Sequence, residues 1–138
     1  MTAVHFDSTS AARSNFKALL DAAREGRTAS LRRDDERVAV VDVARLVRAL
    51  TRKAPPEAVL VAEAGGWSAF LPGFPVSGSG ASFDEAVGDL VVAMREYTED
   101  WNDHLRLAPN HADNWALVQL VDLSSDDELR RWVIGKDR

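Results

Sequence analysis

An α+β fold is predicted for this chain of 138 residues, and three observations predict it. Short β-prone runs at residues 4–6, 28–33 and 37–41 bracket a stretch in which Ala12, Phe16, Leu19, Leu20 and Ala23 recur at three- and four-residue spacing, one face of a helix. Two further β-prone runs, 59–63 and 67–71, are joined by Gly65-Gly66 as in a hairpin. A long apolar stripe then follows the helix-start signal Ser82-Phe-Asp-Glu85.

Taken in order, Asp7, Ser8, Thr9 and Ser10 are all good N-cap types before the first helix. Gly26 ends that helix at a position where glycine takes the left-handed conformation without strain. Asp34-Asp35-Glu36 reads as a hairpin turn between two strands. Val43, Leu46, Val47 and Leu50 line one side of a second helix. Ala54-Pro55-Pro56 interrupts it and marks a domain boundary. In the second half, Pro72-Gly73-Phe74-Pro75 ends a strand, and residues 76–80 read either as a third strand or as a loop. Phe83, Val87, Leu90, Val91, Met94, Tyr97 and Trp101 form the core stripe of the long helix. Residues 115–123 read equally as helix or strand, and Ser125-Asp-Asp-Glu128 starts a short final helix. The expected organisation is β-α-β-β-α over residues 1–54, β-β-(β)-α over 55–103, and a partly helical extension over 104–138.

Charge is divided unevenly. Eleven of the 17 Lys and Arg residues and seven of the 22 acids fall in residues 1–54, about +4; the remainder of the chain carries −9. A basic head on an acidic body suggests one end that meets a polyanion and another with a different task. The absence of cysteine excludes disulfides and thiolate zinc sites, and makes a reducing cytoplasm the natural home. The first residues lack the pattern of a signal peptide, and no uncharged apolar stretch approaches the ~20 residues of a membrane helix. His5, His104 and His111 do not make up the three or four converging ligands of a metal site, so no metal or other cofactor is expected.

Inside the basic head, Val4-His-Phe6, Ser10-Ala-Ala-Arg13-Ser-Asn15-Phe16, Leu19-Leu20, Glu25-Gly26, Leu31-Arg32-Arg33 and Val38-Ala39-Val40-Val41 occur in order. This segment resembles the Phd/YefM family, the prevent-host-death antitoxins of bacterial toxin–antitoxin operons. Phe16 replaces the usual Leu, and Arg32 the usual Thr. The resemblance implies a unit that dimerises and binds operator DNA, and a two-fold dimer would read a palindromic operator. The residue chemistry points the same way. An Arg in the first turn of a helix, as Arg13 is expected to be, adds to the free N–H groups and positive dipole that attract a phosphate. It can also reach a guanine edge. Arg32 and Arg33 at a hairpin supply backbone contacts that position the protein. Arg13, Arg33, Arg32, Asn15 and Ser10 are the expected DNA-binding residues.

In the body, residues 59–63, Gly66-Trp67-Ser-Ala-Phe70, Pro72-Gly73 and Ser82-Phe-Asp-Glu85-Ala86 resemble a HicB-type domain, a degraded RNase H-like unit. The family's role is to neutralise a partner toxin, not to cleave RNA. Nuclease chemistry requires several carboxylates on adjacent strands to hold two metal ions. Here the strands offer only Glu57 and Glu63 at their ends, and Asp84 and Glu85 are accounted for by helix capping, so no catalytic residue is expected. Beyond this unit, Trp115 and Trp132 read either as part of a packed C-terminal extension or, with Val118, Leu120 and Leu129, as apolar anchors, framed by acids, that contact a basic toxin.

These readings combine into an antitoxin of a type II toxin–antitoxin pair that neutralises its toxin and represses its own operon. A toxin of the RelE/ParE kind, operator DNA and a second copy of the chain are the expected partners, with no membrane involvement. The alternative is a stand-alone transcriptional regulator with a ligand- or partner-binding C-terminal domain.

Overall fold

In the computed structural model, which describes residues 2–53 and 58–135, the chain separates into two units, Met1–Arg48 and Ala49–Arg138. The expected Ala54-Pro55-Pro56 boundary and Glu57 lie outside the described residues.

The first unit begins with β1 (Val4–Phe6), then two helices, then β2 (Ala29–Arg33) and β3 (Glu36–Ala39). β1 and β2 are parallel and β2 and β3 antiparallel, so β2 is central. Ser8 caps the first helix, its Oγ accepting from the Ala11 amide at 3.0 Å. The single helix expected between Ser10 and Gly26 is two: α1 (Thr9–Ser14) and α2 (Phe16–Arg24). Asn15 breaks it, leaving helical dihedrals at φ −123° and ψ 32°. Its amide and its Nδ2 donate to the carbonyls of Ala12 and Ala11, at 3.2 and 2.9 Å. Its own carbonyl accepts from Ala18 and Leu19 to start α2. A short polar side chain that bonds local backbone is what permits such a break. The break rotates α2 so that Leu19, Ala22 and Ala23 pack on Ala12 and Ala29, with Val4, Phe6, Leu31 and Val40 around them. Phe16 and Leu20, expected on the same buried face, are instead 57% and 47% exposed. Gly26 takes φ +79° after the C-cap of α2, and a Cβ there would lie 2.8 Å from the Arg45 guanidinium. Arg45 belongs to α3 (Val43–Lys53), whose first turn is held by Asp42 accepting from the Arg45 amide.

The second unit is a meander covered by a long helix. β4 (Val59–Glu63), β5 (Gly66–Phe70) and β6 (Ser77–Gly80) form an antiparallel sheet in that order. The third strand is therefore present, although its sequence is Ser-Gly-Ser-Gly. Its alternation has period two. A Cβ on Gly78 would sit 2.4 Å from the Leu90 nitrogen, and one on Gly80 2.4 Å from the Glu85 Cβ. The glycines thus face α4 (Phe83–Asp103) at backbone contact distance, and the serines face away. α4 buries Ala86, Val87, Leu90, Val91, Met94, Tyr97 and Thr98. Its start differs from the expected capping box in one bond. Ser82 Oγ accepts from the Glu85 amide, but the Glu85 carboxylate accepts from Ala81 and not from Ser82.

Residues 115–123, ambiguous in sequence, form α5 (Trp115–Asp122), and α6 (Asp126–Ile134) follows. Both pack on α4, so the expected extension is part of this unit. Arg95 of α4 fastens their junction. It donates to Asp126 Oδ1 at 2.8 Å and to the carbonyls of Ser124, at 2.7 Å, and Val121. α6 starts with a complete capping box between Ser125 and Glu128. The Ser125 amide and hydroxyl, with Arg131 nearby, hold the Glu128 carboxyl below the usual glutamate range. A lowered folded-state value means the stabilisation is present above the ordinary glutamate value and is lost as pH falls through the folded one. Ser125→Ala is expected to cost about 1 kcal/mol at neutral pH. Only the hydroxyl's share in holding the carboxylate titrates, while its cap on the Glu128 amide does not, so the gap between the two proteins should narrow without vanishing on acidification; a gap independent of pH in denaturant titrations would contradict this account.

Candidate nucleic-acid interface and partner surface

Strand register sorts the basic residues of the first unit onto two sides of its sheet. Cross-strand partners share a face, and successive residues alternate. Val4, Phe6, Ala29 and Leu31 face the helices, so Arg33, two residues beyond Leu31, lies on the helix side. Arg32 lies on the other side, directly opposite Arg37 of β3. His5 and Ser30 share that side, with His5 Nδ1 2.8 Å from Ser30 Oγ and Nε2 2.9 Å from Asp7. Arg37 reaches Ser30 Oγ at 3.5 Å, and no carboxylate is recorded on either guanidinium among the described residues. Like charges directly opposite each other are destabilising in a sheet, so this exposed pair is a place where a phosphate oxygen would relieve repulsion. Sequence reading took the adjacent arginines as one group and missed Arg37. The signal was the two-residue turn: with Asp34-Asp35 as the loop, Arg33 pairs with Glu36 and Arg32 must pair with Arg37. Asp34 adopts φ +54° to make that turn.

Arg13 stands in the last turn of α1, not in the first turn of a long helix. The dipole argument for a phosphate at Arg13 therefore does not hold, since a helix C-terminus is negative. Arg13 is exposed and lies beside Phe16 on the rim of a shallow apolar groove of about 310 Å³ that reaches Leu19, Leu31 and Val40. Ser10 is exposed in the first turn of α1, and one amide hydrogen of Asn15 is committed to the Ala11 carbonyl.

In the second unit, four of the five residues read as partner anchors are interior. Val118, Leu120, Leu129 and Trp132 are buried, whereas Trp115 is 49% exposed. Amphipathic spacing identifies an apolar face but not what covers it. Here α4 covers it. Around the end of α4, Tyr97 Oη lies 2.8 Å from His111 Nδ1 and accepts from Asn114 Nδ2, and Trp101 Nε1 donates to the His111 carbonyl. His111 is thus part of a structural clasp. Among the described residues no group of three or more His, Asp or Glu is placed to hold a metal ion, and no helix is long and apolar enough to cross a membrane.

A family model described as an antitoxin of toxin–antitoxin systems, RelE/RelB, matches residues 4–134, and so spans both units. The chain belongs to this antitoxin family. The antitoxin is also similar in fold to a solved protein from Syntrophomonas wolfei subsp. wolfei, described as the antitoxin part of a toxin/antitoxin system. The TM-score is 0.76 at 22% identity, covering 92% of this chain and 94% of that one. No curated protein matches the antitoxin.

Proposed function

We propose that this antitoxin neutralises a toxin of the RelE/ParE kind through its second unit and represses its own operon by binding operator DNA as a dimer through its first, as a binding protein of the cytoplasm and not as an enzyme. The observation that carries the DNA reading is the uncompensated Arg32–Arg37 pair, with Arg13 and Arg33 exposed on the opposite side of the same sheet. The order β1-α1-α2-β2-β3-α3 agrees with the Phd/YefM resemblance, apart from the broken helix. Exposed Phe16 and Leu20, on a unit of fewer than fifty residues, support dimerisation, because so small a unit buries little apolar surface alone. A dimer presents both sets of arginines twice, at a spacing set by its two-fold axis. The β-β-β-α order of the second unit is the one a HicB-like domain requires, and its acidic composition suits a toxin that must itself hold RNA.

The test is co-expression with the product of the adjoining reading frame, affinity purification, and a mobility shift on the upstream DNA. A co-purifying small basic protein whose toxicity is suppressed, together with shifted DNA, is the expected result. Shifted DNA with no partner would make the chain a stand-alone repressor, and a partner with no shift would remove the operator function. Arg13→Ala is expected to weaken specific binding by ~1–3 kcal/mol if Arg13 touches a base, whereas Arg32→Ala should lower affinity for all sequences and reduce the salt slope by about 1. Unchanged affinity in both folded variants would move the interface elsewhere.

A further inference from the structure

The chain has three histidines, and His5 is the one in the first unit. It stands on the outer side of the sheet with Arg32 and Arg37, and all three are exposed. Its Nε2 is 2.9 Å from Asp7 Oδ1. A carboxylate only accepts, so that nitrogen carries the hydrogen. In the neutral ring Nδ1 is then bare and accepts from the Ser30 hydroxyl at 2.8 Å. In the charged ring Nδ1 donates to the same Oγ. Both ring nitrogens keep their partners in either state, so His5 takes up a proton without turning. Arg37 Nη2 donates to Ser30 Oγ as well, in a long bond of 3.5 Å, which places the imidazole two hydrogen bonds from that guanidinium. Ser30 is 5% exposed, so its Oγ links the two side chains and does not itself meet a ligand. The charged side chains on this side are Asp7 after β1, Arg32 of β2 and Arg37 of β3, with Asp34 and Asp35 in the turn beyond the arginines. Helices α1 and α2 pack on the other side of β1, over Val4 and Phe6.

We infer that His5, in its charged form, is the third cation of a phosphate-binding face made with Arg32 and Arg37, so that DNA binding by the first unit takes up a proton. In the free protein Asp7 favours the imidazolium and the two guanidiniums oppose it. A phosphate at the Arg32–Arg37 pair offsets that opposition and adds its own attraction. By linkage, the factor by which a bound phosphate favours the proton is the factor by which the proton tightens the phosphate. Phosphate contacts position a protein and carry no sequence information, so the gain belongs to any duplex. The inference rests on the DNA-binding reading and adds the residue that makes it depend on pH.

The test is fluorescence anisotropy of the full chain with the DNA upstream of its reading frame and with an unrelated duplex of equal length. Both are titrated at fixed ionic strength between about pH 6 and 8, where histidine is the side chain that changes charge. The variants are His5→Gln, Asp7→Asn and, as a control, His104→Gln, at an exposed position of the second unit. Circular dichroism checks that each is folded. The wild type is expected to bind both duplexes about fivefold or more tightly at the acid end. His104→Gln should keep that gain, and Asp7→Asn, which removes the carboxylate favouring the charged ring, should shrink it. His5→Gln should lose the gain while binding as the wild type does at the alkaline end. A full gain in His5→Gln, or wild-type binding independent of pH, would overturn the inference and leave the DNA-binding reading standing. So would weak binding by folded His5→Gln across the whole range, which would make His5 a support for Arg37 and not a cation of the face. A gain confined to the upstream duplex would overturn the phosphate contact in favour of a base contact. Absence of wild-type binding to either duplex at low salt would remove the DNA-binding reading, and this inference with it.

Discussion

Leu129→Ala is expected to destabilise the second unit by about 2–5 kcal/mol, because it empties a fully buried site that the surrounding helices cannot collapse into. Leu129 has no exposed surface, and it sits with Trp132 and Val133 on the face of α6 that packs toward α4. The chain has four tryptophans, Trp67, Trp101, Trp115 and Trp132, all in this unit. Urea unfolding followed by tryptophan fluorescence therefore reports on it alone. Trp115→Ala, at a half-exposed position, should cost clearly less than Leu129→Ala. If Leu129→Ala proved as mild, Leu129 would be a surface anchor after all. Loss of toxin binding in Leu129→Ala would otherwise reflect unfolding, so a partner contact has to be sought at exposed positions.

Gly78→Ala is expected to be comparably damaging, at the upper end of the ~1–3 kcal/mol typical of overpacking or beyond it. The added Cβ would lie 2.4 Å from the Leu90 nitrogen and 2.7 Å from the Asp89 carbonyl carbon. These are backbone atoms in the middle of α4, so no rotamer change relieves the clash, and the helix must move off the sheet. Ser79→Ala, one residue on and facing away from α4, should be nearly neutral. Comparable thermal midpoints for Gly78→Ala and the wild protein would contradict this account of β6.

The contrast between these two sites shows where sequence reading succeeded and where it stopped. The α4 stripe from Val87 to Tyr97 was legible because 3.6-residue periodicity over about three turns has few alternatives. Both hairpins and the final capping box were legible because their turn and cap chemistry is local. The break at Asn15 was not. Apolar spacing runs through it, and only the bonds from Asn15 to Ala11 and Ala12 reveal that Arg13 ends one helix instead of starting another. β6 looked weak because glycine lowers strand propensity, yet the close approach of α4 makes glycine the residue that fits.

What the amino-acid order determined by itself is most of the elements and the division of charge: a basic α+β head, an acidic body, and an apolar stripe on the body's long helix. Each of these depends on neighbours a few residues apart, or on composition alone. Tertiary structure decided which apolar faces are covered and which charges stand together. Burial of Val118, Leu120, Leu129 and Trp132 depends on α4, more than ten residues away in the chain. The meeting of Arg32 with Arg37 and the separation of Arg32 from Arg33 depend on strand register. Periodicity shows that a side of an element is apolar or charged; only packing shows whether another element lies against it.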